Sequence, residues 1–192
     1  MSTDHKALLV IDVQQGLVDQ MGFGLDYVHR VRQAIETARA ASIRVIYARI
    51  AFQEGAPEVS PVQRSLYNFA KSGAMTKTSA ASQIHSLITP KSEDIVITRP
   101  RVSAFKGSEL DLVLRTLDIK HLVLSGNATR MGILATLFDA GDNGYQLTVL
   151  SDCCRDYDQA VHHFLMKEVF PLQASVISLK EWGNQLTHPV GR

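Results

Sequence analysis

Short apolar, β-branched runs alternate along the chain with longer segments whose apolar positions recur at helical spacing, the pattern of βαβ units around a parallel sheet. Six runs predict strands: ALLVID (7–12), RVIYARI (44–50), DIVIT (94–98), HLVLSG (121–126), QLTVLSD (146–152) and ASVISL (174–179). They are nearly continuous in apolar character, as strands covered by helices on both faces are. Between them, Leu25, Val28, Val31, Ile35 and Ala38 mark one helix. Leu110, Val113, Leu114 and Leu117 mark another, with Ser108 available as its N-cap. Residues 129–143 are apolar almost all round, which places that helix between the sheet and other structure or a partner subunit. These elements predict an α/β fold of three layers, α/β/α, around a mainly parallel six-stranded sheet. Residues 51–79, with two prolines and two glycines, break the rhythm; the expectation there is a short helix near 61–70 in a lid or loop.

Composition narrows the function classes. A chain of 192 residues, 45% hydrophobic, fits one domain over 1–192 with a sizeable core. Twenty basic against 19 acidic side chains, evenly spread, give no field for nucleic acid or an anionic membrane. The start, MSTDHKALLVID, is polar and then only briefly apolar, too short for a signal peptide or a membrane span, and the reading is cytoplasmic. Cys153 and Cys154 are adjacent and build neither a disulfide framework nor a zinc site; buried, inert thiols are the expected case. His5, His29, His85, His121, His162, His163 and His188 are scattered without metal-binding spacing. Neither GxGxxG nor GxxxxGK[ST] occurs, so neither a metal nor a cofactor is expected.

In an open parallel sheet, ligands bind beyond the carboxyl ends of the strands. Asp12 lies at the end of the first strand, Arg99 and Arg101 follow the third, and GNATRMG follows the fourth. Asp12 reads either as a general acid or base or as the cap of a turn. An arginine there reads either as a partner for Asp12 or an anionic ligand, or as structural. Gly132 falls inside a helical first turn, where glycine costs about 1 kcal/mol relative to alanine.

Taken together and in order, LLVIDVQQGLVD (8–19), VIYAR (45–49), residues 96–154 and ASVISLKEW (174–182) resemble the isochorismatase-like hydrolases. The resemblance implies that superfamily's Rossmann-like fold and places Asp12 at the family aspartate, Arg99 at the family lysine and Gly132 at the family's nucleophilic cysteine. Glycine carries no nucleophile, so a thioester mechanism at that position is excluded. The isochorismatases of this family share the glycine and cleave a vinyl ether by protonation, which makes Asp12 a candidate general acid and Arg99 its catalytic companion. On that view Gly132 leaves room for a small cyclic or enol-ether substrate. Two departures stand out: those relatives keep the lysine, and they carry GVYAH where this chain has GNATR, so Ala128 replaces an aromatic residue. A close Arg99 favours the charged form of Asp12, and with it binding over proton transfer, unless burial offsets the effect. The alternative is a catalytically silent member that binds a small anionic ligand. Residues expected to line the substrate are Gln14, Phe105, Asn127, Ala128, Thr129 and Gly132, with Arg64 a weaker candidate. The absence of histidine after the second strand speaks against the family's nicotinamidase metal. The resemblance also implies a cis peptide at Asn127–Ala128 and a dimer or tetramer.

Overall fold

The structure, a computed structural model, describes residues 5–187; His188 and the outer limits of the 1–192 domain lie outside the described residues. Six strands, β1 (Lys6–Ile11), β2 (Arg44–Ile50), β3 (Ile95–Arg99), β4 (His121–Asn127), β5 (Gln146–Arg155) and β6 (Ser175–Ile177), form one sheet in the order β3-β2-β1-β4-β5-β6. Every pairing is parallel.

The continuous apolar runs are explained by the two faces they serve. In β1, Ala7, Leu9 and Ile11 pack into the core beneath α4 (Leu110–Thr116), α5 (Leu134–Asp142) and α6 (Gln159–Phe164). Leu8 and Val10 pack into the opposite core, under α1 (Gln15–Met21), α2 (Leu25–Ala40) and α7 (Leu179–Thr187). With both faces covered, no position from Ala7 to Ile11 is free to be polar. A third, smaller cluster, including Leu17, Phe52, Leu66 and Met75, holds the 51–79 segment against the sheet end. Its short helix is α3 (Arg64–Lys71).

Boundaries differ from expectation in informative places. β5 runs on to Arg155, so Cys153 and Cys154 lie inside a strand and are buried there. β6 keeps only three residues before α7 takes over at Leu179. The N-cap position of α4 is Glu109, although the Ser108 hydroxyl still accepts the Leu110 N–H at 3.2 Å. The segment read as one helix over 129–143 starts as a wide π-type turn, Thr129–Ile133, before becoming α5. One face of it stays open, with Met131 and Phe138 exposed. No described helix is long and apolar enough to cross a membrane.

Packing also sets a pH response at the opposite end of the sheet. Burial, reinforced by the nearby Lys6 cation, pushes the His121 imidazole down to about 4, and its Nε2 lies 2.9 Å from the Thr148 hydroxyl. The unfolded chain, with an ordinary histidine pKa near 6.5, then binds the extra proton first. Stability is expected to fall as the pH drops from about 6.5 to about 4. Urea titrations across this window should show a flatter slope for His121→Gln.

Candidate active site

The strand order reverses between β1 and β4, which opens a crevice at their carboxyl ends. Gly126 in β4 lets the two strands meet there: a Cβ on it would lie 1.9 Å from the Ile11 carbonyl oxygen, and its φ is +127°. Asp12, the first residue past β1, has φ 56°, a left-handed conformation that aspartate tolerates better than most residues. Its N–H donates to the Ala48 carbonyl at 2.8 Å, and its carbonyl accepts from Gln14 N–H at 2.8 Å and Asn127 Nδ2 at 2.9 Å. Asn127 is fixed in turn by the Tyr27 hydroxyl, which donates to its Oδ1 at 3.1 Å. The Asn127–Ala128 peptide is cis.

Arg99 ends β3, two strands away from β1, and its side chain must cross the end of β2 to reach Asp12. Neighbouring strands lie about 4.8 Å apart, a span that suits the long arginine side chain. Both terminal nitrogens arrive: Nη1 donates to Asp12 Oδ1 and Nη2 to Oδ2, each at 2.8 Å, and Nη2 also donates to the Val102 carbonyl at 3.0 Å. Ile50 N–H adds a bond to Oδ1 at 3.0 Å. Arg99 is wholly buried and Asp12 is 6% exposed. Burial raises the Asp12 pKa above the ordinary carboxylate value, while the Arg99 charge, its hydrogen bonds and the Ile50 N–H pull it back down. Burial is the larger influence, the offset that a close arginine alone would not allow.

Gly132 sits in the π-type turn against this carboxylate. A Cβ there would lie 2.8 Å from Asp12 Oδ2, 3.1 Å from Ile11 Cγ2 and 3.2 Å from the Asn127 carbonyl. The missing side chain therefore makes room for the Asp12 carboxylate in its Arg99-bound position as well as for the cavity that Gly132 lines. Because Asp12 is clamped, it cannot swing aside. Gly132→Ala is expected to cost about 1–3 kcal/mol by overpacking, more than the roughly 1 kcal/mol that alanine gains in a helix. Chemical denaturation should show this loss shrink, by the share due to the Oδ2 contact, when the substitution is made in an Asp12→Ala background.

Asp12, Asn127, Ala128 and Gly132 line one cavity of about 310 Å³. Its other walls are mostly apolar: Leu17 and Met21 from α1, Ile50 from β2, Leu66 and Phe69 from α3, Val102 and Met131, with Ser65 and Tyr157 adding hydroxyls. The helix inside the 51–79 segment thus supplies one side of the site.

Other expected lining residues are placed elsewhere. The Gln14 amide is saturated: Oε1 accepts from Ile50 N–H at 2.9 Å, and Nε2 donates to the carbonyls of Ile50 at 2.9 Å and Ser82 at 2.6 Å. The Thr129 hydroxyl lies 2.8 Å from His162 Nδ1 and is buried. Phe105 packs on the core beside Tyr145, ring centroids 5.8 Å apart. Arg64 is exposed and outside the lining. Arg99 is likewise absent from the cavity wall and reaches it only through Asp12, so it is not presented to an anionic ligand.

Several contributors escaped the sequence reading: Tyr27 behind Asn127, and Tyr157 and Met131 in the cavity wall. The DYD triplet at 156–158 was the one available signal for Tyr157, as two carboxylates flanking an aromatic residue at the end of a strand. Cys153 and Cys154 are free, buried and outside the cavity, and burial holds both thiols far above the ordinary cysteine pKa. Among the described residues, no three side chains of His, Cys, Asp or Glu come together in a metal-holding arrangement.

Known proteins resemble this chain in sequence and in fold. The sequence profile of the isochorismatase domain matches residues 6–181. A probable inactive nicotinamidase of Arabidopsis thaliana is 29% identical over 189 residues, 95% of this chain and 96% of the relative. A ureidoacrylate amidohydrolase of Caulobacter vibrioides is 31% identical over 170 residues, 76% of this chain and 75% of the relative. Among solved structures, a cysteine hydrolase of Pseudomonas syringae pv. phaseolicola superposes with a TM-score of 0.89 at 20% identity, covering 97% of this chain and 94% of the other.

Proposed function

Because this chain belongs to the isochorismatase family of hydrolases, we propose that it hydrolyses a small cyclic or enol-ether substrate without a cysteine nucleophile, with Asp12 as general acid. The observation that carries this reading is the position of Asp12 as the single carboxyl group, among the described residues, lining an otherwise mostly apolar cavity. Oδ1 is taken up by Arg99 and Ile50 N–H, whereas Oδ2 accepts one bond, from Arg99 Nη2, and faces the open side of Gly132. Oδ2 is therefore the oxygen that can carry a proton toward the cavity.

The reaction balances as an acid-catalysed hydration. Oδ2 gives its proton to the terminal carbon of the C=C–O unit, leaving an oxocarbenium ion. Water adds to that ion and returns a proton to Asp12, and the hemiketal collapses to a carbonyl compound and an alcohol. Burial favours the protonated acid before transfer, and Arg99 stabilises the carboxylate left behind. Arg99 acts through Asp12 and is a positioning residue. Turnover of a neutral enol ether such as 3,4-dihydro-2H-pyran, lost in Asp12→Asn, tests the proposal.

A second reading, ligand binding without turnover, is supported by the bidentate closure of Arg99 on Asp12 and by the name of the Arabidopsis relative, a probable inactive nicotinamidase. Absence of turnover with enol ethers, amides and imides, alongside saturable binding, would favour it.

A further inference from the structure

Resting on the reading of this cavity as the ligand site, we infer that it selects an uncharged ring bearing a hydrogen-bond donor over the same ring bearing a carboxylate, and that Tyr157, held by Arg130, is a specificity-determining wall. Among the described residues lining the cavity there is no lysine, arginine or histidine. Six arginines lie within three positions of a wall residue in sequence, and none of them lines the cavity. Arg99 spends Nη1 and Nη2 on Asp12 and Val102. Arg101 donates to the carbonyls of Pro100 at 2.8 Å and Glu58 at 2.9 Å. Arg130 donates through Nε to Asp156 at 2.8 Å and pairs through Nη2 with Asp158 at 3.2 Å.

An anion entering the cavity would exchange its hydration for apolar walls, and while Asp12 is ionised its charge already cancels that of Arg99, so no cation is left over to pair with the anion. A donor on a neutral ring would instead satisfy the free side of Oδ2. A volume of about 310 Å³ lies at the lower end for small-molecule pockets, enough for one ring with a short substituent.

Tyr157 forms part of the wall although it is 58% exposed, so something other than burial must hold its ring. The Arg130 guanidinium lies over that ring, 4.2 Å from its centroid, a cation–π contact. Asp156, whose side chain is fully buried, fixes the guanidinium and also accepts the Arg130 backbone N–H at 2.8 Å. The two acids flanking Tyr157 thus clamp the arginine that covers it, and they tie the π-type turn carrying Gly132 to the loop carrying Tyr157. Sequence reading gave neither Asp156 nor Tyr157 a role.

The test is equilibrium binding of benzamide and benzoate, near-isosteric rings that differ in charge, measured by ligand-observed NMR; no turnover is required, so the inference and the hydrolytic reading can fail separately. Benzamide is expected to bind about tenfold or more tightly than benzoate. In Asp12→Asn the preference should shrink or reverse, because Arg99 then carries an uncancelled charge. Tyr157→Ala should weaken benzamide about three- to tenfold with unchanged melting temperature, and Tyr157→Phe should restore it. Equal or tighter binding of benzoate to the unaltered protein, no binding of either ring at millimolar concentration, or indifference to Tyr157→Ala would overturn the inference.

Discussion

Replacing Arg99 with alanine is expected to lower the free energy of unfolding by about 3–5 kcal/mol, the usual loss when one partner of a buried ion pair is removed. Both partners are removed from solvent, Arg99 fully and Asp12 to 6% exposure. Without the guanidinium, the carboxylate keeps only the Ile50 N–H, and the Val102 carbonyl loses its donor as well. Arg99→Lys should fall between the two, because an ammonium group supplies the charge but not the planar fork that meets Oδ1 and Oδ2 together. The pair itself need not be a net source of stability: replacing both partners by apolar residues is often neutral. A double-mutant cycle with Asp12→Ala, read from urea midpoints at constant slope, should therefore return a coupling free energy large relative to the loss in the double mutant. Near-additive losses would show that the two side chains act independently.

The second large effect concerns rate. Asp12→Asn removes the proposed acid and is expected to lower kcat/KM for an enol ether by about 10²- to 10⁴-fold, the range for loss of general acid–base catalysis. Asparagine also turns an NH2 group toward one arm of the Arg99 fork, so some stability is lost with it. Rates should accordingly be compared well below the melting temperature of the variant. Arg99→Lys gives the complementary result. With a weaker pull toward the charged form, Asp12 should hold its proton to higher pH, and the falling limb of the rate profile should move upward.

Much of this arrangement could be read from the sequence because it follows from periodicity and order. The strands announced themselves since burial on both faces leaves no polar positions in runs such as Leu8–Leu9–Val10–Ile11. The sheet's carboxyl ends then put Asp12, Arg99 and Gly132 on one rim. The direction and partners of individual loop side chains were not legible. Gln14, two residues past Asp12, looks like a binding residue, yet its amide is consumed by Ile50 and Ser82. Thr129, one turn from Gly132, faces His162. Phe105 follows the strand carrying Arg99 but turns into the core. Each choice depends on which unpaired polar group or apolar gap the tertiary structure offers, and no spacing rule encodes that. The same holds for Tyr157, whose exposed ring is held by an arginine 27 positions earlier in the chain.

Gly132 shows how a correct position can carry an incomplete reason. Its place in the motif marks where a nucleophile is missing. The geometry adds that a side chain there would meet Asp12 Oδ2 at 2.8 Å, so the glycine and the Arg99-clamped aspartate fit each other. A side chain at 132 would require the carboxylate or the turn to shift by a few tenths of an ångström.

The most direct test is the pH dependence of kcat/KM for 3,4-dihydro-2H-pyran with the unaltered protein and with Asp12→Asn. The active form is the protonated acid, and burial raises its pKa above the ordinary carboxylate value. The rate should be flat below that pKa and fall about tenfold per pH unit above it, and the variant should lose both the rate and the titration. A rate that rises with pH, or a profile unchanged in Asp12→Asn, would contradict Asp12 as the proton donor.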